Sequence, residues 1–200
     1  VEDLIHKSGY VVVYSDRKAY EADALGWKLR RDRGVVIDEL DADGIRARLP
    51  QLNGDFRLGL FLHDHGWCAN PERLTKSLAV EFERNGGKLL QRQVLGIDVG
   101  PDGPRALNTD AGSLPVDKLV ICAGAHSNEF SAALGDAVPL EAERGYHLTY
   151  SDPRFSLPMP VMVPEQKCFV TPMEMGLRIA GQSEFAGINA EPDYRRSEIL

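Results

Sequence analysis

Apolar and polar positions change their period several times along the chain, and each change predicts an element. Residues 9–15, rich in valine and tyrosine, predict a buried strand. Asp16 is then placed to cap a helix whose apolar positions Ala22, Leu25, Gly26 and Leu29 follow helical spacing, and Gly34 ends it. Residues 35–37 predict a short strand. Asp41 caps a small helix that runs to Leu49 and stops at Pro50. Another strand follows at residues 58–64. Asn70 as cap with Pro71 at the first helical position is the clearest helix start, and Leu74, Leu78 and Phe82 form its apolar stripe. Gly86 and Gly87 supply a left-handed exit into a strand at residues 88–90. Helix, glycine pair and strand in that order is what a parallel-sheet unit requires.

From residue 95 to 116, turns at 100–103 and 110–112 separate short alternating segments, which predicts a three-stranded meander. Residues 119–122 are continuously apolar, as in a strand buried on both faces, and lead through Ala123, Gly124 and Ala125 into a helix closing near Gly135. A corner of small residues leaves backbone N–H groups open to anything bound above it. Past Pro139, strands are predicted at residues 141–150, 160–163, 168–171 and 177–181, antiparallel candidates joined by loops of proline and glycine. Strands therefore fall both before and after the parallel-type unit. The expectation is a mixed α/β (α+β) chain of two interleaved regions, with one sheet assembled from both ends.

Composition narrows the function classes. With 43% hydrophobic and 26% charged residues, the 200-residue chain can bury a core. A net charge of -7 and a pI near 5.3 disfavour phosphate backbones and anionic membranes, so no nucleic-acid partner is expected. The basic run Lys28, Arg30, Arg31 and Arg33 sits at a helix end and complements the helix dipole. Cys68, Cys122 and Cys168 are widely spaced without a C-x-x-C pair, which fits a reducing cytoplasm rather than a disulfide framework or zinc ribbon. No apolar stretch is long enough to cross a bilayer, and no charged-then-apolar leader opens the chain. His63, Asp64, His65 and Cys68 resemble a metal cluster, since His-x-His on a strand would put both imidazoles on one face. A fourth ligand at a recognisable spacing is missing, and no metal is expected. There is no G-x-S-x-G elbow, and Ser127 lies past the glycine corner, so hydrolase chemistry is unsupported. The chain starts at Val1 without a methionine and stops at Leu200 inside what reads as a helix start; it is read as cut from a longer polypeptide.

Three motifs go further. The run Leu119-Val120-Ile121-Cys122-Ala123-Gly124-Ala125-His126-Ser127, preceded by the unit at residues 70–94, resembles the FAD-dependent D-amino-acid oxidase and dehydrogenase superfamily. Glu143-Arg144-Gly145-Tyr146-His147 is similar to that family's Pro-x-x-x-Arg-Gly strand near the flavin ring. The segment from Gly176 to Phe185 is similar to its Gly-x-x-x-x-Gly-Thr-x-Glu. The likeness covers nearly the whole chain and is nearest to the bacterial D-amino-acid dehydrogenases. It implies a partial FAD-binding doubly wound fold interleaved with an antiparallel or mixed substrate-domain sheet. Residues 1–65 would be the first part of a substrate-binding region, 66–137 part of the FAD-binding domain, and 138–200 the second part of the substrate-binding region. The implied activity is oxidation of D-amino acids or related amines to imines and keto acids. The alternatives are an FAD-dependent 2-hydroxy-acid or glycerol-phosphate dehydrogenase, or a non-catalytic binding module that has kept the fold.

The resemblance also implies roles for single residues. Val94 would meet the adenine of FAD, Ala123 and Gly124 the ribose and pyrophosphate, and Gly181 belongs with them on the cofactor side. Tyr146 and His147 would face the substrate, Arg144 and Gly145 would shape the approach beside the flavin, and His65 is a substrate-side candidate. Each has a plainer reading: Tyr146 as a core aromatic, Arg144 as a structural ion-pair donor, and residues 123–125 as tight strand-to-helix packing. The G-x-G-x-x-G fingerprint, its acidic ribose partner and the glycine-rich C-terminal segment are not among these residues, so the chain alone is not expected to hold FAD. Gln182 replaces the family's usual threonine. Met173 stands where glycine-oxidase relatives carry a carboxylate-clamping arginine, which leaves the carboxylate anchor unassigned. The chain on its own is expected to self-associate. The full-length protein is expected in the cytoplasm, with peripheral docking on the inner membrane left open.

Overall fold

Local chemistry starts most of the elements. In the computed structural model, which describes all 200 residues, the Asp16 carboxylate accepts from the Ala19 N–H at 2.8 Å, that of Asp41 from Gly44 at 2.8 Å, and the Asn70 side chain from Arg73 at 2.9 Å. In chain order the first half carries β1 (Ile5–His6), β2 (Tyr10–Tyr14), α1 (Arg17–Ala22), α2 (Ala24–Asp32), β3 (Ile37–Asp41), α3 (Ala42–Arg48), β4 (Leu58–Leu62), β5 (Trp67–Cys68) and α4 (Pro71–Arg84). Then follow β6 (Val94–Gly100), β7 (Gly103–Thr109), β8 (Gly112–Pro115), α5 (Ser127–Ala133), β9 (Glu143–Tyr150), β10 (Val161–Val163), β11 (Cys168–Met173) and β12 (Gly176–Phe185). The chain divides into two units, one of Val1–Glu81, Gly145–Ser183 and Asp193–Leu200, the other of Phe82–Arg144 and Glu184–Pro192.

The first unit is built on a seven-stranded sheet in the order β3-β4-β2-β10-β11-β12-β9, so both ends of the chain contribute strands. β2 runs parallel to β10, while β3/β4, β2/β4, β10/β11 and β11/β12 are antiparallel. Alternation along the strands splits the core in two. Val11, Val13, Phe61, Val161 and Leu177 face one side, where they meet Ile45 and Leu49 at α3 and Leu157. Val12, Tyr14, Leu60 and Leu62 face the other and are covered by Trp27 of α2.

Asp23 explains that second cover. The single helix expected after Asp16 breaks there into α1 and α2, because the Asp23 carboxylate accepts from the Tyr14 hydroxyl at 2.9 Å, which in turn accepts from the Trp27 indole N–H at 2.7 Å. The chain pins the turn to the sheet and brings Trp27 down onto it. Leu25 and Leu29, expected in the buried stripe, are 72% and 45% exposed, whereas Trp27 is 4% exposed. Burial, reinforced by the Asp23 charge, holds the Tyr14 phenol protonated far above its ordinary range.

The second unit holds the meander, β6-β7-β8, as its own antiparallel sheet. Two expected strands are not formed. Residues 88–90 and 119–122 form no regular element and have no ladder partners, and Leu89, Leu90 and Val120 stay exposed. A strand needs a neighbour to take its N–H and C=O groups, and neither segment is hydrogen-bonded into any of the three sheets. The expected strand at residues 35–37 begins later, at Ile37, where it pairs with Leu62.

Candidate functional site

The face of the large sheet that α2 covers is covered over only part of its width. Beyond Met162 the same face continues through Tyr10, Phe169, Thr171, Arg178, Ala180 and Gln182, all partly buried. The register fixes this grouping: Met162 lies opposite Phe169, Phe169 opposite Ala180, and Thr171 opposite Arg178. Tyr10 and Phe169 form an aromatic floor with ring centroids 5.5 Å apart, and the His65 ring stands edge-on to Tyr10 at 5.1 Å. Between Tyr10 and α2 a cavity of about 290 Å³ runs back toward Tyr14 and Trp27.

His147 joins this face and Tyr146 does not. Tyr150 lines a cavity with Leu177 and Ile179 on the opposite side of the sheet, so Tyr146, Leu148 and Tyr150 point that way and His147 points to the face that carries Arg178 and Ala180. Neighbours on a strand cannot both look at one ligand. Tyr146 is 5% exposed, its hydroxyl accepts from the Asp193 N–H at 2.8 Å, and its ring meets Tyr194 edge-on at 6.5 Å. It fastens the C-terminal turn Tyr194–Ile199 to the sheet, which is the plainer of its two readings.

The polar groups of the open face are unusual in having nothing to bind. The side chains of Thr171, Arg178, Gln182 and His147 make no hydrogen bond or ion pair within the chain, and the Tyr10 hydroxyl makes none either. Thr171, Arg178 and Gln182 are partly buried and His147 is exposed, so their polar atoms keep contact with solvent and are free to bond a ligand that enters the face. Burial pushes the Tyr10 phenol up, with Arg30 pulling against it, so Tyr10 offers an O–H donor at neutral pH. Of this set, only His65 and His147 were site candidates in the sequence, and Gln182 was noted there only as a departure from the family's threonine. An arginine at an alternate position inside the apolar run Leu177-Arg178-Ile179-Ala180 was the available signal for the rest.

The remaining candidates are placed elsewhere. Arg144 donates to the Ala190 carbonyl at 2.6 Å and reaches Glu184 at 3.5 Å, so its guanidinium ties down the segment that follows β12. His63 does not share a face with His65: β4 ends at Leu62, and His63 hydrogen-bonds Asp38 at 2.7 Å against the Phe61 ring. A Cβ on Gly181 would lie 2.1 Å from the Lys167 carbonyl oxygen, so close strand approach alone accounts for that glycine.

In the second unit, Val94 and Ala123 line one apolar cavity of about 200 Å³ together with Ile97, Leu107, Cys122 and Phe130. Gly124 follows in a left-handed conformation, φ 56°, with no heavy atom within 4 Å of where a Cβ would stand. This corner is as bare as the approach of a nucleotide requires.

Comparison with known proteins now identifies the family. Residues 2–200 match the family described as DAO, FAD dependent oxidoreductase. The chain belongs to that family. It is 34% identical over its full length to a D-amino-acid oxidase of Bradyrhizobium diazoefficiens, covering 47% of that protein. Over 97% of the chain it is 27% identical to a D-amino acid dehydrogenase of Cereibacter sphaeroides, covering 46% of it. The fold superposes on the glycine oxidase of Bacillus cereus with a TM-score of 0.78 at 18% identity, over 94% of this chain and 52% of that one. The chain thus spans about half the length of the relatives it matches. The DAO family is FAD-dependent, so FAD is the cofactor of the protein to which these residues belong. No helix is long and apolar enough to cross a membrane.

Proposed function

We propose that this DAO-family chain carries the substrate-binding sheet, and part of the FAD-binding fold, of an enzyme that oxidises D-amino acids or related amines. The observation that carries the reading is the open sheet face, where an aromatic floor is ringed by partly buried polar groups with no partner in the chain. Its chemistry suits a small zwitterion: donors for a carboxylate, an aromatic wall for the side chain, and imidazoles at the edge. The glycine-rich phosphate fingerprint is not among these residues, and we assign it to the rest of a longer polypeptide.

Toward the cofactor, Val94, Ala123 and Gly124 are the residues that suit the adenosine half of FAD, because the Gly124 corner has neither side chain nor neighbour in the way. When bound, FAD accepts a hydride equivalent from the substrate. The protein side of the reaction is orientation and exclusion of water. With the amine neutral, its lone pair forms the C=N bond as the Cα–H bond breaks, and water then hydrolyses the imine to keto acid and ammonia. No strong base is needed. Tyr10 and Phe169 hold the substrate against the sheet, and His147 and His65 sit at its polar rim. Tyr146 and Arg144 act at one remove, by fixing the segments around β9 and β12.

The test is a steady-state survey of the full-length protein with D-amino acids, N-methyl amino acids and hydroxy acids. Turnover of amines is the expected result. Turnover of hydroxy acids alone would move the protein to the hydroxy-acid branch, and a protein without flavin absorbance would make the chain a binding module.

A further inference from the structure

We propose that Arg178, helped by the Thr171 hydroxyl directly across the β11/β12 ladder, is the anchor for the substrate's carboxylate. The proposal rests on the amino-acid reading above and supplies the contact that Met173 does not make.

Arg178 is partly buried in the middle of the hairpin, on the open face, and forms no hydrogen bond or ion pair. Its surroundings explain why. On its own face its neighbours along β12 and across β11 are Gly176, Ala180 and Thr171, and β9 on the other side brings His147 to the same face; none of these is acidic. The carboxylates nearest along the hairpin are already engaged, Glu174 by Arg73 and Asn70, and Glu184 by Arg144. A partly buried guanidinium with no counter-anion keeps its N–H donors open to an arriving anion, and its planar fork matches a carboxylate with two parallel N–H donors. Directly opposed residues of an antiparallel pair hold their side chains about 5 Å apart. That spacing lets the Thr171 hydroxyl donate to the anion the guanidinium holds. The Phe169 and Tyr10 rings lie on the same face, one step along the strands and beyond, where the substrate's side chain would rest.

The experiment compares the full-length protein with its Arg178→Met and Arg178→Lys variants, using D-amino acids, their methyl esters, and benzoate as a carboxylate probe. For Arg178→Met the expected result is a KM for amino acids raised on the order of 100-fold with kcat little changed, because ground-state and transition-state binding lose the same contact. The methyl esters, which lack the charge, are expected to lose less than about threefold. Lysine keeps the charge without the fork, so Arg178→Lys is expected to fall in between, at about tenfold. Benzoate affinity is expected to drop in parallel with amino-acid affinity. Unchanged KM and unchanged benzoate affinity in Arg178→Met overturn the assignment while leaving amine oxidation standing. A wild-type protein that oxidises no amino acid overturns the functional reading instead, and the benzoate measurement then decides Arg178 by itself: binding that ignores the substitution, or no binding at all, ends the proposal.

Discussion

At the scale of residues, the first unit rests on a few side chains with two jobs. Tyr14 is the clearest: fully buried, it accepts from Trp27 and donates to Asp23, and so joins the sheet to the turn between α1 and α2. Tyr14→Phe keeps the ring and removes the oxygen, leaving the Trp27 N–H with no acceptor inside the core. The expected cost is about 1–3 kcal/mol in urea denaturation; an unchanged midpoint would show that water replaces the lost group. Gly181 is a second case. Its absent Cβ leaves room for the Lys167 carbonyl, and Gly181→Ala is expected to cost about 1–3 kcal/mol by forcing β11 and β12 apart. A thermal melt measures it, and a melt unchanged from wild type would mean that the hairpin yields there. The same scale shows what sequence could not reveal. Trp27 and Leu25 are both apolar on one helix, and only the hydrogen bond from Trp27 to Tyr14 decides which is buried. Tyr146 and His147 sit side by side in a motif, yet alternation sends them to opposite faces, and that depends on which face the C-terminal turn occupies.

Among the elements, those whose cues are local were legible. Asn70-Pro71 starts α4, Asp41 starts α3, and the turns at 100–103 and 110–112 lie between the three strands of the meander, because each cue satisfies its own backbone groups. Residues 88–90 and 119–122 read as strands but are not, since strand formation depends on a partner that periodicity does not display. The contact between the start of α4 and the β11/β12 turn was not legible at all, being an ion cluster across a hundred residues. There Arg73 donates to Asp3 at 2.6 Å and to Glu174, and Asn70 donates to Glu174 at 2.8 Å. Arg73's hydrogen bonds hold both carboxyls below their ordinary values. A carboxyl with a depressed pKa in the folded state stabilises that state above its unfolded pKa, and the contribution is lost as pH falls through the folded value. Glu174→Gln is therefore expected to lower the melting midpoint at pH 7, and the gap from wild type should close progressively below about pH 4. Melts across a pH series check this. A gap that stays constant into acid would assign the effect to shape rather than charge.

For the molecule as a whole, the likeness of its motifs to a flavoprotein family reached the fold, and the match over residues 2–200 agrees. The open sheet face was less visible, because Tyr10, Phe169, Thr171 and Arg178 come from three strands that only the register brings together. Much apolar surface is uncovered in these 200 residues: Leu78, Phe82, Leu90 and Val120 are all more than half exposed. The isolated chain is thus expected to self-associate and to be colourless when purified; a well-behaved monomer at high concentration in sedimentation would contradict the first expectation. An amine presented to FAD by the sheet face, as proposed, would reduce the flavin. Anaerobic mixing of the full-length protein with D-amino acids, followed by flavin absorbance, tests it most directly. The expected result is bleaching of the oxidised flavin band by at least one D-amino acid, with the matching keto acid formed in equal amount. A flavin that stays oxidised with every amine, yet bleaches with hydroxy acids or not at all, would contradict it.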